Sequence, residues 1–210
     1  MVIRRILTVN SIKFGIFYSK QFNSLLVSFF NKKVTFTQQI NNITILKNND
    51  EIIGANIFNV DPNLNLKSGF CSEDPKAVNY VSQALKNIYE VKQELQFVIG
   101  RIIECEAIEG THLNICQVDI KSEVLQIICG ASNARKKVVC VVATLNSWLP
   151  NGQQIVQSKI RDVGSFGMLC SYKELNIEND QQGIIELGNE YNNKIGESFW
   201  KEYYAKQDQV

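Results

Sequence analysis

The chain has 210 residues, 45% of them hydrophobic and 20% charged, with three prolines, 12 glycines and a formal net charge of +1. A chain of this length buries a core without disulfide or metal staples, and its low proline and glycine content excludes a long disordered or collagen-like part. Near-zero net charge excludes nucleic-acid binding through massive non-specific charge, but not through a local basic face.

Residues 1–14 begin with the Arg4-Arg5 pair and continue apolar, interrupted by Asn10, Ser11 and Lys13. No small-residue cleavage site follows, so the segment reads as a strand or an N-terminal extension and not as a signal peptide. Residues 1–49 hold seven Lys/Arg and no Asp/Glu. Such a stretch suits a nucleic-acid face, and it equally suits a Lys/Asn-rich solvated sheet. LLVSFF, VTFT, ITIL and IIGANIFNV are rich in β-branched and aromatic residues with Asn-rich breaks, which predicts strands. Asn48, Asn49 and Asp50 predict a hairpin turn between the last two. A helix follows, with Asp74 as N-cap and Pro75 in the first helical position. Val78, Val81, Leu85 and Ile88 give it one apolar stripe, and the pattern predicts its end near Glu94.

From Leu95 the sequence becomes a run of short strands: FVIGRIIECE, HLNICQVDI, EVLQIICGA and KKVVCVVATL, about a dozen residues apart. Further strands are expected near 153–159, at GMLCS and at IIEL (184–187). Regular spacing of this kind predicts a small barrel or sandwich, and a five-stranded barrel of this size matches an OB-fold. The expected architecture is therefore two domains: an N-terminal α/β (α+β) domain over 1–94, including the linking helix, and an all-β OB-fold barrel over 95–210.

The six cysteines form no C-x-x-C pair and His112 is the only histidine, so the clustered ligands of a structural zinc site are absent. Cysteines inside apolar runs such as VVCVVA predict buried, reduced thiols in a cytosolic protein, with scattered disulfides as the lesser reading. No apolar run reaches the roughly 18 residues of a membrane-spanning helix. No phosphate-binding loop, dinucleotide fingerprint or H-E-x-x-H motif is present, and any Ser-His or Cys-His nucleophile would have to use His112. The expectation is no cofactor, no metal and no catalysis.

Arg161, Ser165, Gly167 and Met168 form the sharpest cluster. An arginine grips phosphate, a serine hydroxyl bonds a phosphate or base edge, and a methionine packs under an unstacked base. The competing reading is a strand-to-strand turn with Met168 buried in the barrel. Asn133, Arg135, Lys136 and Lys137 sit in one loop, where cations position a nucleic acid without reading its sequence; such a loop also serves plain solubility. Lys159 and Lys173 would flank the same face. Phe166, Tyr172 and Trp148 are candidate stacking aromatics, although most aromatics in a small barrel are core.

Three blocks stand in order between Phe97 and Leu175: FVIGRIIECEAIEGTHLNICQVDI, QIICGASNARKKVVCVVATLNSWLPNGQQI and SKIRDVGSFGMLCSYKEL. This segment resembles the EMAP-II-like tRNA-binding domain of bacterial phenylalanyl-tRNA synthetase beta subunits. The layout, with ANIFNV at 55–60 and Phe17-Tyr18 at a usual start, resembles the free-standing YtpR-like tRNA-binding proteins, which would make residues 1–14 an extension. The resemblance implies tRNA as partner in the cytoplasm. It also implies RNA contacts at Asn133, Arg135, Lys136, Lys159, Arg161, Ser165, Met168 and Lys173, and homodimerisation through IIELGNEYNNKIGESFW. Two departures bear on affinity. His112 stands where the family has a lysine, and Asp162 replaces a glycine beside Arg161, with which its carboxylate could pair. They leave room for a module that docks on an aminoacyl-tRNA synthetase and binds RNA poorly. A tRNA-editing hydrolase is the third reading.

Overall fold

The structure is a computed structural model that describes residues 10–160 and 162–207. The chain divides into two compact units, 1–94 and 95–210.

In the first unit, strands β1 (Asn10–Ile12), β2 (Gly15–Ser19), β3 (Ser24–Ser28), β4 (Phe36–Ile40), β5 (Ile43–Asn48), β6 (Glu51–Phe58) and β7 (Gly69–Phe70) precede helix α1 (Pro75–Leu85) and strand β8 (Val91–Gln93). Six of them make one antiparallel sheet in the order β4-β5-β6-β3-β2-β7. Helix α1 lays Ala77, Val81 and Leu85 on that sheet, against a core that includes Leu25, Val27, Ile45, Ala55 and Ile57. Asp74 caps it by accepting from the Lys76 N–H at 2.8 Å, and Pro75 opens it. The helix stops at Leu85, well before Glu94. The N–H groups of Ile88 and Tyr89 both donate to the Leu85 carbonyl at 2.8 Å, which turns the chain out of the helix. Strand β8 then pairs in parallel with β1.

That pairing joins residues 10–12 to the first unit. Phe14 is fully buried, and Gln93 both donates to its carbonyl and accepts from its N–H at 3.0 Å. Residues 10–14 therefore belong to the folded unit; residues 1–9 lie outside the described residues.

The second unit holds β9 (Phe97–Ala107), β10 (Asn114–Asp119), β11 (Val124–Cys129), β12 (Val139–Thr144), β13 (Ser158–Ile160), β14 (Val163–Ser165), β15 (Gly167–Leu169), β16 (Glu186–Leu187) and helix α2 (Phe199–Gln207). The antiparallel order is β11-β10-β9-β12-β15, with β16 also on β12. The two ends of this path are bridged. The Phe166 N–H donates to the Gln126 carbonyl at 2.9 Å, and Gln126 Nε2 donates to the Gly164 carbonyl at 2.8 Å. The sheet is thus barrel-like, with no open edge at β11. Gly167, at φ +156°, lets the chain cross here: a Cβ would lie 2.9 Å from the Ala143 carbonyl oxygen.

Inside the barrel, Val98, Ile102, Val118, Ile127 and Val142 pack with Cys116, Cys129 and Cys140. All six cysteines are free thiols, which agrees with the reading of reduced residues in apolar runs. Trp148, expected at a partly exposed turn, is buried instead. Its N–H donates to Gln96 Oε1 at 2.7 Å, which draws the turn into the barrel end. No helix among the described residues is long and apolar enough to cross a membrane.

Candidate nucleic-acid interface

A groove of about 720 Å³ opens on the second unit between the end of β11, strand β15 and the loop 171–184. Met168 and Lys173 line it, with Ile128 and Gly130 on one side and Ile177 and Gly183 on the other. Met168 is half-buried and pairs across the sheet with Ala143 of β12. Strand alternation sends its neighbour Leu169 into the core, so Met168 stands on the groove side. Lys173 is exposed at the rim.

Ser165 occupies a different kind of place. It is 4% exposed, its Oγ accepts from the Ile128 N–H at 3.1 Å, and it donates to the Gly167 carbonyl at 3.4 Å. Its hydroxyl closes the barrel beside Met168 and does not face solvent.

Asn133 is equally committed. Its Nδ2 donates to the Ile184 carbonyl at 2.9 Å and to Glu186 Oε1 at 3.0 Å, while Oδ1 accepts from the Ile184 N–H at 2.9 Å. The amide therefore clamps the far end of the 171–184 loop. Gly183 makes the close approach possible: it sits at φ +82°, and a Cβ there would lie 2.1 Å from Asn133 Oδ1. Arg135 adds a bidentate pair to Glu186, with both N–O distances 2.8 Å, and a bond to the Asn133 carbonyl. The guanidinium holds the Glu186 carboxyl below the usual carboxylate range, and Glu186 raises Arg135 in turn. Asn133 and Arg135 were expected to touch RNA; their polar atoms are used in building the groove wall.

Lys136 is exposed on the same loop. Lys159 sits apart on the β13–β14 hairpin, where it pairs with Asp162 at 3.2 Å, both side chains well exposed. Asp162 thus has Lys159 as its partner; Arg161 lies outside the described residues. The backbone at Asp162 has φ +66°, a conformation that glycine adopts without steric cost. Aspartate tolerates this left-handed conformation, so the departure costs little locally. The other departure, His112, is exposed and lies over Gly130, whose Cβ would sit 3.3 Å from the imidazole Cδ2. Gly130 itself lines the groove, and His112 is not among the lining residues. No local sequence signal joins Arg135 to Glu186; the barrel topology brings them together.

The groove rim is acidic as well as basic. Glu174, Glu178 and Asp180 line it with Lys173. Glu174 is tied to the loop, accepting from the Ser171 N–H at 2.7 Å and its hydroxyl at 2.8 Å. Burial pushes the Cys71 and Cys140 thiols up to about 12, and raises Cys116 and Cys170 as well. No cluster of metal-ligating side chains exists among the described residues. Phe166 and Tyr172 are half-buried, and desolvation raises the Tyr172 phenol.

Residues 97–195 match a family profile described as "Putative tRNA binding domain". The chain is 33% identical over 169 residues to an uncharacterized protein of Mycoplasma genitalium, covering 75% of this chain and 72% of that one. An uncharacterized homolog in Mycoplasma pneumoniae is also 33% identical, over 163 residues, covering 73% and 69%. The phenylalanine–tRNA ligase beta subunit of Sulfurimonas denitrificans is 38% identical over 137 residues, 63% of this chain. The chain spans only 17% of that ligase subunit's length. With this domain over 97–195 and an alignment along most of the two Mycoplasma proteins, the chain belongs to the family that carries the tRNA-binding domain.

Proposed function

We propose that the protein binds tRNA without catalysis, through an OB-fold barrel, and that the Met168 groove receives one or two unstacked bases. The observation that carries this reading is that Met168 and Lys173 line one groove within the family-matched segment. A thioether offers a polarisable apolar surface to a base, and stacking or packing of one base is worth about 1–3 kcal/mol. The acid-bearing rim repels phosphate, so the backbone of the RNA runs outside the groove, along Lys136, Lys173 and the β13–β14 hairpin that carries Lys159. Asn133, Arg135 and Ser165 act as positioning residues that hold the wall and the closure. Shape, phosphates and exposed bases are the usual terms of RNA recognition, and they require no catalytic group. The protein would work in the cytoplasm, where tRNA is.

The test is fluorescence anisotropy of labelled bulk tRNA at about 50 and 200 mM salt, with single-stranded DNA as competitor. The expected result is salt-weakened binding, poor competition by DNA, and roughly 5- to 100-fold loss in Met168→Ala. Arg161→Ala should also reduce the salt slope, by about one. No binding at low salt would overturn the reading and favour docking on a protein such as an aminoacyl-tRNA synthetase.

A further inference from the structure

In the C-terminal stretch 184–200, Ile184, Ile185, Tyr191, Phe199 and Trp200 are buried in their own unit. The first unit offers something different. Its sheet ends on β4, an edge strand of five residues that contains no charge, no proline and no bulge. Edge strands normally carry one of these devices against pairing with another chain. Two exposed apolar side chains also lie here, Phe36 at 57% and Val34 at 41%.

The hydrogen-bond phase shows which groups the edge presents. The Phe58 N–H donates to the Asn42 carbonyl at 2.8 Å, so Asn42 and alternate residues after it face β6. Ile43, Ile45 and Lys47 then face β4, and their register partners Ile40, Gln38 and Phe36 face back. That leaves the N–H and C=O groups of Thr37 and Gln39 directed to the open edge. The strand reads Phe-Thr-Gln-Gln-Ile, which is self-complementary about Gln38. In an antiparallel pair centred there, Thr37 of one copy exchanges backbone bonds with Gln39 of the other, and Phe36 lies opposite Ile40. Phe36 and Ile40 share the face of the buried Ile43 and Ile45, with Gln38, which accepts from Lys47 Nζ at 2.9 Å, between them, so the pairing packs Phe36 of each copy on Ile40 of the other on either side of a polar centre.

We propose that two copies of the chain associate through antiparallel pairing of β4 with β4, about a two-fold axis at Gln38. Such an isologous contact needs one self-complementary patch and closes at two copies.

The test uses the full chain without RNA. Sedimentation over about 5–500 μM should show a monomer–dimer equilibrium. Thr37→Pro removes an outward N–H while sparing the bonds to β5, and should weaken dimerisation at least about tenfold with the circular dichroism unchanged. Independently, Gln38→Cys should yield, under mild oxidation, a covalent dimer whose linkage mass spectrometry maps to position 38 in both copies, because the two Cα atoms would be about 4.5 Å apart. A chain that stays monomeric throughout overturns the proposal. So does a dimer in which Gln38→Cys fails to cross-link to itself, which also decides the matter if Thr37→Pro unfolds. Capture of a different protein or of RNA on this edge, with no self-association, counts against it equally.

Discussion

The two units handle the ends of a β-sheet in opposite ways. The second unit bridges its terminal strands, and the side chains of Ser165 and Gln126 are used in the closure. One groove opens beside this closure, lined by Met168 and Lys173, and its wall is pinned by Asn133 and Arg135. The first unit leaves β4 open, and Asn42 and Asn48 donate to the carbonyls of Phe58 and Lys33. Closure converts polar residues into scaffold, whereas an open edge leaves backbone groups available to a partner. Residue type alone does not separate ligand contacts from struts: Ser165, Asn133 and Arg135 all hold hydrogen bonds within the unit.

The largest expected effects probe whether the two cores are separate. Phe97→Ala should cost the second unit about 3–5 kcal/mol, and Phe14→Ala should cost the first unit a similar amount, since both side chains are fully buried. Hydrogen exchange mapped along the chain reads this directly. Loss of protection spread equally over both units in either variant would break the comparison.

Ser165→Ala sharpens it. The Ile128 N–H would lose its acceptor in the barrel wall, at a cost of about 1–3 kcal/mol, with exchange at Ile128 rising first. An unchanged melting temperature would mean that the closure does not depend on this hydroxyl. Asn133→Ala should release the 171–184 loop and lower tRNA affinity several-fold without contacting RNA. Its salt slope should match that of the parent, because no phosphate contact is removed. A reduced slope would instead make Asn133 a direct contact.

Acid should loosen the same wall. Glu186 is depressed in the folded chain by Arg135, so the unfolded state binds its proton more readily. The support from this pair is complete above about pH 4.3, and it is lost as pH falls through the lowered folded value. Amide spectra of residues 183–186 recorded down that range should shift before the barrel core does, and Arg135→Ala should abolish the early change. The smallest effect is expected at the hairpin. The Lys159–Asp162 pair is exposed, so Asp162→Asn, which keeps a side chain that tolerates the left-handed backbone, should change stability by no more than about 1 kcal/mol. Its tRNA affinity should rise slightly, because Lys159 is freed for phosphate.

Much of this architecture is legible in the chain because it rests on local signals. Asp74-Pro75 starts the helix, alternation marks β9 to β12, and cysteines in apolar runs lie in the cores as their surroundings suggest. The end of α1 was not legible, since it depends on β8 being claimed by β1, some eighty residues earlier. Nor was the burial of Trp148, which rests on a bond to Gln96. Sequence by itself determined the strand pattern, the position of Met168 after a glycine, and the family signature from Phe97 to Leu175. Only the tertiary structure decided which polar residues face outward. Hydrogen bonds such as Asn133 to Ile184, or Ser165 to Ile128, join residues 51 and 37 positions apart, and no periodicity in a sequence encodes where a barrel will bring its own strands together.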